Sequence, residues 1–253
     1  MPQNRTDAAV TARAGEIDLV LVDFDDTLVD TAPRFQRARR SLFARLASLG
    51  FPEDEIRRVH HDEVDPEMIH RYGLGPFRLE PAFRETYLRL CAAARVPVDP
   101  VVADECAALG LAVAGTPPVI EGAIEALRRL AATLPTAIYT QSGHPEYQLG
   151  CIRDAGVLDI LPAERVRICR RKSPEEFREA LAHFGVAAPE VACMVGNSVR
   201  SDVNPALANG ARAILVEADD PWVFDIVEPI SDAFVTVRSF AHAVGYLLDS
   251  SGA

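Results

Sequence analysis

Leu19-Val20-Leu21-Val22-Asp23-Phe24-Asp25-Asp26-Thr27-Leu28-Val29 decides how the rest of this sequence is read. The apolar run from Ile17 to Val22 predicts a strand buried on both faces, and it stops abruptly in carboxylates. Side chains two apart on a strand project to the same side, so Asp23 and Asp25 would face one crevice while Phe24 turns into the core. In open α/β sheets ligands bind at the carboxyl ends of the parallel strands. Taken alone, the segment fits equally well an Asp-rich turn in which Asp25-Asp26 caps the next helix.

The sequence downstream breaks the tie. After the turn cluster Gly115-Thr116-Pro117-Pro118, apolar strands and helical patterns alternate. Strands are expected at 136–140, 165–169, 191–195, 212–216 and 234–237, with helices at 120–132, 145–155, 174–184, 203–209 and 240–248. Such alternation implies a doubly wound parallel sheet with helices on both faces, an α/β fold. Between the first strand and this region the pattern is helical throughout. Phe35, Ala38, Leu42, Phe43, Leu46 and Leu49 recur at three- and four-residue steps before Gly50, and further helices are expected from Pro81 to Cys91 and from Pro100 to Leu111. The expected organisation is therefore a disordered tail at 1–15, a core domain at 16–30 and 115–253, and an all-helical insert at 31–114.

Composition narrows the function classes. A formal net charge of −11 argues against nucleic acid or an anionic membrane as the main partner. No apolar stretch is long enough for a membrane span or the core of a signal peptide. The five cysteines form no Cys-x-x-Cys pair and read as small buried hydrophobes in a reduced, cytoplasmic setting. Of the 26 basic residues only Lys172 is a lysine. Arg serves elsewhere, so the one ammonium stands where a compact point charge is wanted, or stands there by chance.

Four strand ends meet along one edge of such a sheet. They carry Asp23-x-Asp25-x-Thr27, Thr140-Gln141-Ser142-Gly143, Arg170-Arg171-Lys172-Ser173-Pro174 and Gly196-Asn197-Ser198-Val199-Arg200-Ser201-Asp202. Lys172 lands on that edge, which weakens the reading by chance. The chemistry such a set supports is phosphoryl transfer. An aspartate is ionised at neutral pH and needs no base to be a nucleophile, but it must approach a dianion. Each like-charge pair at 4 Å costs about 4 kcal/mol at an effective dielectric of 20. A divalent cation and an ammonium remove that repulsion, and oxygen ligands suit Mg²⁺. No Cys/His cluster suggests zinc, and His60-His61 reads as a solvated helix pair.

In order and spacing, the four segments resemble the four motifs of the haloacid dehalogenase superfamily, over most of the chain. The resemblance implies a Rossmann-like core with Asp23 attacking phosphorus to form an aspartyl-phosphate. It implies Asp25 as general acid and base, its backbone carbonyl touching the metal. Thr140 and the backbone N–H of Gln141 would hold phosphoryl oxygens beside Lys172. Asp23, Asp25 and Asp202 would hold Mg²⁺, with Asn197 standing where many members have Asp. An amide oxygen can still ligate a hard cation but brings no charge. The helical insert resembles the C1-type cap.

The resulting expectation is an Mg²⁺-dependent phosphatase acting on a small phosphorylated metabolite, its oligomeric state open. The alternatives are a phosphomutase of the β-phosphoglucomutase type and a non-catalytic binding protein retaining the fold. A phosphonate hydrolase needs a cap lysine, and residues 31–117 have none. A haloacid dehalogenase has no use for a proton-donating Asp25. Arg34 is a candidate for substrate contact, and Arg200 for contact with either the substrate or Asp202. Asp26 is expected in a turn, Asp30 as a helix cap, Ser198 and Ser201 as loop-ordering residues, and Trp222 as a packing anchor.

Overall fold

The computed structural model describes residues 17–218 and 227–249, so the tail at 1–15 and Trp222 lie outside the described residues. The chain divides into two compact units. Of the described residues, the first comprises 17–30, 118–141, 152–218 and 227–249; the second comprises 31–117 and 142–151.

The first unit is built on a six-stranded, all-parallel sheet and also carries helices α6 (Ala123–Ala131), α8 (Pro174–His183), α9 (Asn204–Ala208) and α10 (Phe240–Asp249), while α7 (Pro145–Asp154) begins in the second unit and ends in the first. Its strands are β1 (Leu19–Val22), β2 (Thr136–Gln141), β3 (Val166–Cys169), β4 (Ala192–Gly196), β5 (Arg212–Val216) and β6 (Val235–Val237), in the order β3-β2-β1-β4-β5-β6. All four residues of β1 are buried because it lies mid-sheet with layers on both faces, which is why it reads as an unbroken apolar run. Leu19, Leu21, Tyr139, Phe177 and Met194 belong to one core cluster on this sheet. Fully burying each such side chain stabilises by about 1.5–3 kcal/mol. Val22 pairs with Ile138 and Val195, so β1 and β4 end within one residue of each other while β2 runs three residues further, and Asp23, Thr140 and Gly196 stand at or next to neighbouring strand ends.

The second unit is helical. It contains α1 (Ala32–Ser48), a continuous helical rod made of α2 (Glu53–Arg58), a π-turn (Val59–Val64) and α3 (Asp65–Tyr72), then α4 (Leu79–Ala94) and α5 (Pro100–Leu111). Leu42, Leu46, Ile56, Phe83 and Leu90 are fully buried in its core. Asp99 caps α5 by accepting from the Val101 N–H at 2.8 Å, with Pro100 in the first turn. The rod from Glu53 to Tyr72 lies inside the stretch expected to be helical, but its π-turn was not foreseen. Its π-turn breaks the 3.6-residue rhythm, and it turns His60 and His61 inward. His60 is fully buried and His61 half-buried, so the expectation of a solvated pair is wrong.

Two further differences are local. Asp30 is exposed and is not the cap: Thr31 holds the N-cap position of α1, with no capping side-chain hydrogen bond, and the Asp30 N–H donates to the Pro118 carbonyl. Residues 142–151, expected in the core domain, join the helical unit instead. Within that unit the Gly143 N–H donates to the Leu74 carbonyl at 2.7 Å, and the backbones approach so closely that a Cβ on Gly143 would lie 2.4 Å from the Tyr72 oxygen.

Candidate active site

The site is assembled where β1, β2 and β4 end. Past β1 the chain turns sharply, with Asp26 at φ 56° and its N–H bonded to the Val29 carbonyl, so Asp26 is a turn residue as expected. Phe24 is fully buried while Asp23 keeps 6% of its surface and Asp25 is half-exposed, the alternation that a strand end dictates.

Lys172 comes in from the far side of β2. It stands just before Ser173, whose hydroxyl caps α8 (Pro174–His183) by accepting from the Glu176 N–H, with Pro174 and two glutamates in the first turn. The backbone N–H of Lys172 donates to the side-chain oxygen of Gln141 at 3.2 Å. Its ammonium lies 2.5 Å from one carboxylate oxygen of Asp23 and 2.5 Å from one of Asp202. Beneath it, the ring of Tyr139 faces the ammonium at 5.2 Å, a cation–π contact in a dry setting.

Asp202 is carried by a π-turn, Val199–Val203, that follows β4 and precedes α9 (Asn204–Ala208). Its second carboxylate oxygen accepts from the Ser198 N–H at 3.0 Å, and the Ser198 hydroxyl accepts from the Ser201 N–H. A Cβ on Gly196 would sit 2.3 Å from that same oxygen, so glycine is what allows the carboxylate to lie against the end of β4. Asn197 is half-exposed beside it, and Thr140 is buried at the end of β2.

Electrostatics follow from three carboxylates around one ammonium. Burial pushes the Asp23 carboxyl up to about 8; Lys172 opposes this, and the charges of Asp202 and Asp25 add to it. Burial alone would lower Lys172, but the two carboxylates outweigh it and hold the ammonium above its ordinary range. The site therefore has negative charge in excess, displayed on hard oxygen atoms. Among the described residues no three His, Cys, Asp or Glu side chains are arranged as a metal-binding set. Two carboxylates, a backbone carbonyl and an amide oxygen, completed by water, nonetheless suit Mg²⁺, which keeps several waters and needs only one or two carboxylates.

Sequence reasoning missed Tyr139 and the Gln141 side chain. Tyr139 alternates with Thr140 on β2, so it points away from Thr140, and nothing in one dimension shows that Lys172 returns above its ring. Of the two arginines named for substrate contact, one belongs to the helical unit and the other to the π-turn that carries Asp202. Arg34, in the helical unit, donates from one guanidinium nitrogen to the carbonyls of Val113 and Gly115, and Arg200 is exposed.

Comparison with known proteins adds the following. The family model described as haloacid dehalogenase-like hydrolase matches residues 17–210. A curated relative from Xenopus laevis, phospholysine phosphohistidine inorganic pyrophosphate phosphatase, is 35% identical over 86 residues, 34% of this chain and 32% of the relative. This chain thus matches about a third of that protein's length. A crystal structure of a haloacid dehalogenase-like family hydrolase from Xanthomonas campestris superposes with a TM-score of 0.74 at 25% identity, covering 94% of both chains. L-2-haloacid dehalogenase from Xanthobacter autotrophicus, with chloropropionic acid covalently bound, has a TM-score of 0.55 at 17% identity, over 92% of this chain and 98% of its own.

Proposed function

The chain belongs to the haloacid dehalogenase-like hydrolase family, and on that ground we propose that it is a phosphatase working through an aspartyl-phosphate on Asp23. One observation carries this reading: a single ammonium, Lys172, lies 2.5 Å from both Asp23 and Asp202 at the carboxyl edge of the sheet, beside Thr140. The similarity to a phosphatase from Xenopus laevis supports it over a short stretch. The likeness to a dehalogenase is one of fold.

In this mechanism Asp23 forms a bond to phosphorus as the bond from phosphorus to the leaving oxygen breaks. Asp25 donates its proton to that oxygen and then takes one from the water that hydrolyses the acyl phosphate, restoring Asp23 and releasing inorganic phosphate. Thr140, the Gln141 N–H and Lys172 hold the phosphoryl oxygens where charge accumulates. When bound by Asp23, Asp202, the Asp25 carbonyl and Asn197, Mg²⁺ supplies the positive charge that lets a carboxylate approach a dianion. The proposed substrate is a small phosphorylated metabolite.

A panel of phosphate esters assayed for inorganic phosphate, with and without Mg²⁺, tests the reading. Release that requires Mg²⁺ and disappears in Asp23→Asn is expected. Phosphate release persisting in that variant, or chloride release from 2-chloropropionate in place of phosphate release, sinks it.

A further inference from the structure

The Lys172 ammonium touches the carboxylates of Asp23 and Asp202, each at 2.5 Å, and lies over the face of the Tyr139 ring, 5.2 Å from its centre. Tyr139 reaches this place through the sheet. Val22 pairs with Ile138, so one step further along the two strands Asp23 and Tyr139 stand side by side. The Tyr139 ring belongs to the core cluster of Leu21, Cys169 and Phe177, and it meets the Phe177 ring edge to face, with centres 6.1 Å apart. Phe177 lies on α8, the helix whose cap residue directly follows Lys172. One junction therefore fixes both groups: β2 carries Tyr139, and the chain entering α8 carries first Lys172 and then the side chain that packs against Tyr139.

The ring, not the hydroxyl, is what this position uses. Tyr139 is fully buried, and its hydroxyl has no hydrogen-bond partner among the described residues. The thiol of Cys169, in the same cluster, is directed to the Thr140 carbonyl at 3.4 Å. A buried phenol left in that state costs stability, so the hydroxyl adds nothing that phenylalanine lacks. The ring face does contribute. It carries partial negative charge and attracts an ammonium without taking a proton from it. Because Lys172 is itself buried, that attraction is at the strong end of its range.

The carboxylate contacts change during a reaction, whereas the ring contact does not. On the phosphatase reading, Asp23 loses its charge when it is bonded to phosphorus, and the N–H that it held turns to a phosphoryl oxygen. Attraction to a ring face does not depend on where each N–H points, so it holds the nitrogen in place while hydrogen bonds are exchanged. We propose that Tyr139 is a positioning residue: the face of its ring fixes the Lys172 ammonium beside Asp23 and Asp202, and keeps it there while Asp23 is bonded to phosphorus. The clamp stands on the geometry alone; its part in the reaction rests on the phosphatase reading.

The chain's single lysine gives a direct readout. In full-length protein labelled with ¹³C-lysine, NMR shows one ε-CH₂ signal, and the ring current of Tyr139 should place its protons upfield of their position in the denatured protein. Tyr139→Leu should remove that shift, and Tyr139→Phe should keep it. Kinetics supply the second arm. On a phosphate ester that the wild type hydrolyses, Tyr139→Leu should lose roughly 10- to 30-fold in kcat with KM within about twofold, and Tyr139→Phe should recover most of that loss. Phenylalanine analogues with one, two and three ring fluorines, placed at position 139, separate this from a folding defect in the leucine variant. They drain the ring face at nearly constant size, and kcat should fall at each step. A lysine signal unmoved in Tyr139→Leu, or kcat flat across the fluorinated series, overturns the proposal. Absence of phosphate release from the wild type itself removes the phosphatase reading, and the NMR arm then decides the clamp by itself.

Discussion

Lys172 holds two carboxylates that would otherwise repel each other in a desolvated site, and its size is what makes this possible. An ammonium fits between two oxygens; a guanidinium fork does not. Lys172→Arg is therefore expected to fold but to lose at least about 100-fold in kcat, with phosphate release as the measurement. Asp23 makes a second prediction. Its folded carboxyl is raised to about 8 from 3.8, so the folded protein holds this proton more tightly than the unfolded chain. The associated stability is present below the unfolded value and lost as pH rises through about 8. In chelator, wild-type Tm should fall between about pH 5 and pH 8, and Asp23→Asn should flatten that slope. Asp23, Lys172 and Asp202 could be named from sequence because each is a chemically conspicuous residue at a strand end. Tyr139 and the Gln141 side chain could not, because their roles arise from a strand pairing that joins residues about 30 positions apart.

At the level of elements, the strands were legible because burial on both faces writes an apolar run, and the helices α5 and α8 because Asp99-Pro100 and Ser173-Pro174 mark their starts. The π-turn at Val59–Val64 was illegible for the opposite reason: it changes the angular step between residues, so no single helical period fits across it. Asp30 misled because an acidic residue before a helix is a common cap, yet the chain there is bonded through its backbone to Pro118. The turn after β4 makes its own prediction. Gly196→Ala places a methyl group 2.3 Å from the Asp202 carboxylate and must push it away from β4. About 1–3 kcal/mol of stability should be lost, together with most activity, as read by denaturant titration and phosphate release.

Across the whole molecule, the described residues contain no helix long and apolar enough to cross a membrane, and the net charge of −11 includes the cluster at the sheet edge. A cation that binds only the folded site raises stability by mass action. Mg²⁺ at ten times its dissociation constant should add about 1.4 kcal/mol, a few degrees in Tm for a chain of this size. Asp202→Asn should abolish that shift, and thermal melts with and without Mg²⁺ check it. The residue that links these arguments also simplifies the protein as a reagent. Since the chain's only lysine is 6% exposed, its sole ε-amine is hidden whenever the sheet edge is intact. Acylating reagents should therefore leave Lys172 unmarked in the native protein and mark it once the protein is denatured. Intact-mass counting of labels would then report directly whether a given variant, temperature or buffer has opened the site.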